Sequence, residues 1–461
     1  MKCYFIASLS LLLTCSTLSY GQVLKLEDAL NRTATQYEKI KAKQQIVEAA
    51  TQSTNFQKQQ YLPDFNLVAQ QSFGTINVQH GPMYAHGGLA SAATSMPLAE
   101  QNWNAAFGSL YFANVNWNIF TFGRIKNEVV LAGKKEKTAQ ADVQQEIFQQ
   151  QVKTGAAYLN LLASQRLKYV QQKNAERARV FYEMTQARAV SGLIPEVDEQ
   201  LAKAEWSNAK SLQIKAYDKE LEWSRQLAVL INDDFTHYKL DSLYSTSIPN
   251  KITTASEIDF LKHPFLQWQQ NRIEESQQQT SVLKAYKKPN VSAFGVIQGR
   301  GSGFESNYAQ DPSAYSTNYF KGIGIDRSNY LLGFSLSWNI TNMYRYTTKI
   351  KEQQHHTQSL QYTLNSQSKE LKALSEQAKA QLQNAYEHFS ETKIQLNAAA
   401  MAFKQQTALY ENGLSTLVDF TQALYSLNRA EIDYEISQNN VWQALLLVAS
   451  AQGDLKILTP N

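Results

Sequence analysis

The chain has 461 residues and a formal net charge of +4 at pH 7, and its basic residues are not clustered among aromatic residues. So small a charge on so long a chain excludes a concentrated basic surface, and we expect no nucleic-acid partner. Both cysteines, Cys3 and Cys15, precede a predicted cleavage point, so the mature chain is expected to lack disulfide and thiol chemistry.

The first 21 residues have the pattern of an export signal. Lys2 precedes an apolar stretch over 5–13, and small residues stand just before residue 22. We therefore predict a signal peptide over 1–21. Lipidation of Cys15 is the alternative, although Thr14 is a poor residue to precede a lipidated cysteine. No later apolar run reaches the roughly 18 residues of a membrane-spanning helix, so a membrane-crossing part would have to be a β-barrel.

The stretch 103–119 alternates apolar and polar residues with a period of two. Aromatic residues near both of its ends are typical of a barrel strand whose apolar side faces lipid. Residues 64–79 alternate less regularly, and together the two stretches predict a β-hairpin over 64–119, with a tip at 80–102 that is rich in turn-forming residues. A soluble hairpin packed on a helical body is the alternative.

A helical pattern of unusual length follows, from 125 to 191, without proline and with apolar residues spaced by three and four. At 1.5 Å per residue, about 67 residues span roughly 100 Å, so this helix needs lateral support from other helices. Gly192 ends it, Pro195 suits a first helical turn, and a return helix is predicted over 195–231.

The same arrangement recurs 221 positions later, which predicts an internal duplication. The first repeat covers 22–240 and the second 263–455, with a linker at 241–262 and a C-terminal tail at 456–461. Each repeat is a helix, a hairpin, a long helix and a return helix. In the second repeat the hairpin is predicted over 290–340 with a tip at 302–329, the long helix over 344–412 and the return helix over 415–452. The glycine-rich stretch GRGSG at 299–303 is interpreted as a loop at the end of a predicted strand. The residues that share the offset are Trp117 and Trp338, Arg124 and Arg345, Gly192 and Gly413, Leu193 and Leu414, Val197 and Val418, and Asp198 and Asp419.

Five segments in this order resemble the TolC family of outer-membrane efflux proteins. They are LKLEDAL at 24–30, YLPDFNL at 61–67, WNIFTFGR at 117–124, HPFLQW at 263–268 and ENGLSTLVDFTQA at 411–423. Four strands cannot close a membrane barrel, whose minimum is about eight, so the barrel must be shared between chains. The resemblance implies a homotrimer with twelve strands in the outer membrane of a Gram-negative bacterium, continuing into a long periplasmic α-helical barrel with coiled-coil packing.

The resemblance implies a passive exit duct for a tripartite efflux or type I secretion system. Its partners would be a periplasmic adaptor (membrane fusion) protein, an inner-membrane RND or ABC pump, and outer-membrane lipid. Multidrug efflux and protein secretion both stay open. The rival hypothesis is a periplasmic coiled-coil adaptor or scaffold without a barrel, although such a protein does not need the aromatic strands. We find no motif of an enzyme, and we predict no catalytic, cofactor-binding or metal-binding residue and no cofactor.

The resemblance also implies a constriction at the periplasmic end of the duct. Asp419 matches an acid of a carboxylate ring, and Asp198 and Tyr410 match members of a network that holds this tip closed. Ser415 stands where the best-known members have an arginine, and Gln422 where a second ring carboxylate often lies. We therefore expect a tip that is held more weakly and attracts cations less. The alternative for both acids is a favourable interaction with a helix N-terminus alone.

Two further groups of residues complete the expected functional surface. The first comprises the periplasmic tip turns, and the second comprises aromatic residues that would face lipid on the barrel. The turn residues are Gly192, Leu193, Gly413 and Leu414, and the lipid-facing aromatic residues are Trp103, Phe107, Trp117, Phe334 and Trp338.

Overall fold

The computed structural model describes residues 23–79, 95–249 and 260–458. The predicted signal peptide with Cys15 lies outside them, as do residues 80–94 of the first hairpin tip, 250–259 of the predicted linker and 459–461 of the tail.

The first half of the chain contains two short helices, two strands and two long helices. Their bounds are α1 Leu26–Gln36, α2 Glu38–Gln59, β1 Asp64–Gly74, β2 Ala106–Phe120, α3 Arg124–Val190 and α4 Glu196–Ile231. The second half follows the same order after two short helical segments. Its elements are α5 Leu243–Thr246, a 3₁₀ turn Phe260–Lys262, α6 Pro264–Ala285, β3 Asn290–Ser302, α7 Tyr319–Ile323, β4 Arg327–Ser337, α8 Asn342–Glu411, α9 Leu417–Gln452 and a 3₁₀ turn Leu455–Leu458.

The two longest helices, α3 and α8, have 67 and 70 residues, respectively. Neither contains proline, and α8 also lacks glycine, so nothing within them breaks the run of i to i−4 hydrogen bonds. Both helices end two residues before a glycine in the left-handed conformation, Gly192 with φ 68° and Gly413 with φ 73°. A side chain with a Cβ is strained at such a φ, so glycine favours the chain reversal there.

The structure divides into two compact units that do not coincide with the two predicted repeats. One comprises the described residues of Met1–Val47, Thr138–Asn271 and Leu360–Asn461, and the other comprises those of Glu48–Lys137 and Arg272–Ser359. Each unit therefore draws segments from both halves of the sequence.

The first of these units, which contains residues 138–271, has a continuous apolar core built from both halves of the sequence. Tyr158 of α3 is fully buried there, and its hydroxyl donates to the carbonyl of Leu24 at 2.8 Å. Trp442 of α9 packs edge to face on Tyr244 of α5. Within the described ranges, no helix is both long and apolar enough to cross a membrane.

The other unit contains one antiparallel sheet with the strand order β1-β2-β3-β4. We call the end where β1 joins β2 and β3 joins β4 the loop end of the sheet. The opposite end, where β2 leads into α3 and β4 into α8, is the helix end.

Two predicted strand boundaries were wrong. Strand β2 begins at Ala106, because Asn102 and Asn104 hydrogen-bond elsewhere: Asn102 exchanges bonds with Asn77 at 2.7 and 3.0 Å, and the Asn104 side chain donates to Pro312 at 2.8 Å. Such bonds compete with the strand ladder. Trp103 therefore lies before the strand. Strand β4 covers Arg327–Ser337, so it starts within the predicted loop 302–329 and ends before Trp338.

Candidate functional site

One side of the sheet is apolar across all four strands. The register aligns Leu67 of β1 with Ala113 of β2, then Ile297 of β3 and Tyr330 of β4, and because side chains alternate, every second residue shares this side. We call this side the apolar face. Its large side chains that are exposed to solvent are Phe65, Leu67, Phe73, Trp117, Ile297, Tyr330, Leu332, Phe334 and Leu336.

The opposite side, the polar face, carries mostly amide, hydroxyl and guanidinium groups. Its polar members include Asn66, Gln70, Ser72, Asn114, Asn116, Gln298, Arg300, Arg327, Asn329 and Ser335. Exposed apolar surfaces of this extent mark an interaction with protein or membrane. A sheet with one apolar and one polar side is the arrangement of a lipid-facing barrel wall.

Trp117 and Trp338 occupy corresponding places at the helix end of the sheet. The indole N–H of Trp117 donates to the carbonyl of Tyr61 at 2.9 Å, and that of Trp338 donates to the carbonyl of Lys287 at 3.0 Å. Each ring is thus fixed to the segment that enters the neighbouring strand. A tryptophan with one satisfied polar group and an exposed ring is typical of a membrane interface.

Phe107 lies at the other end of β2. Its ring packs on Phe73 of β1 at 4.7 Å and on Tyr319 at 5.1 Å between centroids. Ten residues separate Phe107 from Trp117, or about 33 Å along a strand, which at a tilt of about 40° is roughly 25 Å of height. This agrees with the height of the apolar band in outer-membrane barrels.

The two helix-to-helix turns expose apolar side chains. Leu193 and Leu414 follow the left-handed glycines and are each 74% exposed. Their backbone N–H groups donate to the carbonyls of Arg188 and Leu409, each at 2.9 Å, which closes the same turn in both repeats. The predicted turn residues therefore form two matching exposed sites.

Asp419 lies at the start of α9 and takes part in a capping box with Thr416. The Asp419 N–H donates to the Thr416 hydroxyl at 3.2 Å, and that hydroxyl donates to the carboxylate at 2.6 Å. Hydrogen bonds from the Thr416 side chain and backbone hold the pKa of the exposed Asp419 carboxyl below its usual value. The group therefore serves as a cap and is also a solvent-facing negative charge.

Asp198 is the corresponding residue of α4, but that helix has no side-chain cap. Pro195 occupies the N-cap position and makes no side-chain hydrogen bond. The first turn instead contains three acids, Glu196, Asp198 and Glu199, which a helix N-terminus favours electrostatically.

Tyr410, at the end of α8, is buried in a small aromatic cluster. Its ring lies 5.5 Å from that of Phe181 and 5.4 Å from that of Phe420. Burial raises the pKa of the Tyr410 hydroxyl, the Thr185 side chain and the cation of Arg188 oppose this shift, and the charge of Asp198 adds to it. Tyr410 is therefore buried among aromatic rings, with Arg188 and Asp198 both near enough to act on its hydroxyl through their charges.

Arg188 was not among the residues predicted from the sequence. It lies in the last turn of α3, and its guanidinium donates to the carbonyls of Tyr410 at 3.2 Å and Glu411 at 2.7 Å. The guanidinium also lies 5.4 Å from the centre of the Tyr410 ring. A cation near the end of a helix is a known partner of free helical carbonyls, but the sequence did not show that the carbonyls would belong to α8.

Ser415 and Gln422 are uncharged residues near the start of α9. The Gln406 amide donates to the Ser415 hydroxyl, and Gln422 is exposed on α9. In the described parts of the chain, no group of three His, Cys, Asp or Glu residues could hold a metal ion.

Comparisons with known proteins match a family over part of the chain and a fold over most of it. Residues 90–233 match the model of a family described as outer membrane efflux protein. Among curated proteins, none matches the chain.

Several solved outer-membrane proteins share its fold over 93% of its length. The CmeC outer membrane channel of Campylobacter jejuni is 12% identical, with a TM-score of 0.73 over 85% of that chain. VceC of Vibrio cholerae is 15% identical, with a TM-score of 0.71 over 96% of its length. The open-state MtrE channel of Neisseria gonorrhoeae is 14% identical, with a TM-score of 0.69 over 89% of its length.

Proposed function

We propose that this chain, a member of the outer membrane efflux protein family, forms with two further copies a duct that opens outside the cell and receives its cargo in the periplasm. Each copy would contribute four strands to a twelve-stranded barrel and its long helices to a periplasmic α-helical barrel.

The shared fold confirms the fold class of four strands with very long helices, and the family match over residues 90–233 supports an outer-membrane efflux channel. Members of this family are channels, not enzymes. A periplasmic adaptor or scaffold without a barrel is not favoured.

The observation that carries the proposal is the apolar face. The two outer strands of the sheet, β1 and β4, each pair on one side only, so their free edges are suited to pair with other copies. Three sheets of four strands exceed the minimum of about eight for a closed barrel. The apolar face would then surround the barrel on its lipid side, and the polar face would line the lumen.

Exposed apolar residues on α8 support assembly with further copies. Ile394 and Met401 are exposed although both are large and apolar. They are seven residues apart, the spacing at which side chains of one helix contact a neighbour in a coiled coil. A helix of the adjacent copy would cover them.

Expression in a Gram-negative host tests this proposal. Membrane fractionation should recover the chain in the outer membrane as a trimer that resists SDS until heated. The purified trimer should form conducting channels in planar bilayers. A soluble monomer, or an assembly without conductance, would overturn the proposal.

We further propose that the exposed turns bind the adaptor. Leu193 and Leu414 present the same apolar side chain after the same glycine turn in both repeats, so three copies would offer six similar sites. Apolar side chains exposed at a chain reversal fit an apolar contact with the tip of a helical hairpin.

The double variant Leu193→Asp with Leu414→Asp should abolish co-purification of the adaptor and lose efflux, while the heat-resistant trimer persists. Gln200→Glu adds a charge to an exposed position on α4 near the same turns and serves as the control. Adaptor binding that survives the double variant would exclude the turns as the docking site.

A further inference from the structure

The connection between β3 and β4 lies partly on the apolar face. Residues 319–325 contain the short helix α7 and pack on the loop end of β2 and β3. The Ser109 hydroxyl donates to the carbonyl of Ile323 at 3.2 Å, and Tyr319 stacks edge to face on Phe107. Ser109 and Phe107 both belong to the apolar face, so we call residues 319–325 the outer segment.

Small residues in the sheet make room for this segment. Ser109 and Gly301 are register partners on the apolar face, and Gly299 is the next residue of β3 on that side. A Cβ added to Gly301 would lie 1.7 Å from the carbonyl oxygen of Gly324, and one added to Gly299 would lie 2.9 Å from Ile325. Glycine within a strand marks a place where another backbone approaches closely. We call Ser109, Gly299 and Gly301 the notch.

The close approach is mutual, because the segment also lacks side chains where it meets the sheet. A Cβ on Gly322 would lie 2.3 Å from the Cβ of Phe107. Glycines on both partners therefore match at this contact. A loop that merely covered a barrel mouth would not require small residues on the apolar face.

Hydrogen bonds fix both ends of the outer segment. At its start, the side chain of Asn318 caps α7 by accepting from Phe320 N at 2.9 Å, and the Tyr319 hydroxyl donates to Gln71 at 2.8 Å. At its end, the N–H of Asp326 donates to the carbonyl of Arg300 at 2.8 Å.

The outer segment leaves apolar side chains exposed. Phe320 is 79% exposed, and Ile325 is 60% exposed although its side chain also lies over Gly299. Lys321 pairs with Glu305, so the segment carries little unpaired charge. Phe320 and Ile325 extend the apolar face outward at the loop end.

We propose that the outer segment is a lipid-binding collar that lies in the outer leaflet of the membrane, on the outside of the barrel. This inference rests on the proposed function, which places the apolar face in lipid. Aromatic and apolar residues at the loop end would contact acyl chains near the headgroup region, the depth at which aromatic girdles lie. The collar would thicken the barrel wall on its lipid side over β2 and β3.

Spin labels in reconstituted trimers test the inference. Cys3 and Cys15 lie in the predicted signal peptide and are replaced by serine as a precaution, so an introduced cysteine becomes the single labelling site. Phe320→Cys labels the collar and Leu332→Cys labels the apolar face of β4. Ser306→Cys labels an exposed part of the same connection as the aqueous control. Electron paramagnetic resonance then compares collisions with oxygen, which is enriched in lipid, and with a water-soluble nickel chelate.

Labels at 320 and 332 should collide preferentially with oxygen, and the label at 306 with nickel. If 332 reports lipid and 320 reports water, the collar is wrong while the barrel proposal stands. If both report water, the lipid-facing assignment fails as well.

A second variant tests the notch. Gly301→Val must displace the carbonyl of Gly324, so it should shift the label at 320 from oxygen to nickel accessibility. The label at 332 should keep its oxygen accessibility, which shows that the barrel remains inserted. An unchanged label at 320 would overturn the role of the notch in holding the collar.

Discussion

An arginine in place of Ile297 tests the lipid-facing assignment at its most sensitive position. Ile297 lies on the apolar face, 67% exposed, in the row Leu67, Ala113, Ile297 and Tyr330. This row is near the middle of the distance between Phe107 and Trp117. An arginine at the bilayer midplane costs about 2 to 4 kcal/mol per chain, or about 6 to 12 kcal/mol per trimer if the three sites act independently.

Two matched variants make the test specific. Gln298→Arg places the same residue one position along the same strand, on the polar face, where a cost within about 0.5 kcal/mol is expected. Phe334→Arg lies on the apolar face but in the row of Trp117, at the helix end, where the cost should fall to about 0 to 1 kcal/mol.

The assay is the temperature at which the trimer dissociates in SDS, together with the yield of refolded trimer in lipid vesicles. Ile297→Arg should lower both, Phe334→Arg should have a small effect, and Gln298→Arg should have almost none. Equal losses for Ile297→Arg and Gln298→Arg would refute a sheet with one side in lipid.

Three other predictions concern groups outside the barrel. Replacing Asp419 with Asn should reduce cation selectivity and block by multivalent cations in planar bilayers. Because the pKa of the Asp419 carboxyl is lowered, the cation selectivity of the unaltered channel should persist into mild acid. It should be lost as pH falls through that lowered pKa. Unchanged selectivity in this variant would leave only the capping role. Arg188→Gln removes the hydrogen bonds from α3 to the end of α8 and should increase the frequency of channel opening. Arg429→Gln, which removes an exposed surface ion pair, is the control and should not. Equal conductance records for the two variants would exclude a role of Arg188 in holding the channel closed. His263 accepts from Phe265 N through Nδ1 and lies 3.1 Å from the Ser450 carbonyl through Nε2, and burial lowers its pKa. Its contribution to stability should be complete above about pH 6.5, the ordinary histidine value, and fall as pH decreases below it. The melting temperature of His263→Asn should vary less between about pH 8 and about pH 5, and an unchanged pH dependence would contradict this role.

The repeated pattern made the architecture predictable, because periodicity and glycine stops are local properties of sequence. The predicted long helix 125–191 compares with Arg124–Val190, and 344–412 with Asn342–Glu411. Strand ends were less predictable. Alternation continues through Trp103, but hydrogen bonds that Asn102 and Asn104 make with distant residues end the ladder there.

Long-range contacts also explain what the sequence did not reveal at the candidate sites. Helix α7 is too short to give a periodic signal, and its position depends on glycines of β3 that were interpreted only as loop residues. Arg188 has no counterpart in the second repeat, where Leu409 occupies the equivalent position, so the duplication gave no indication of its role. Asp419 was predicted as a charge, and its hydrogen bonds with Thr416 add a second role.

Different interactions stabilise the turn between α3 and α4 and the turn between α8 and α9. The start of α9 has the capping box of Thr416 and Asp419, in which hydrogen bonds act together with the charge of the acid. The start of α4 has no side-chain cap but has three acids that interact favourably with the helix dipole, and dissolved salt weakens this interaction. As ionic strength rises, the first turn should loosen more than the second. The duplicated turns should therefore differ in their sensitivity to salt.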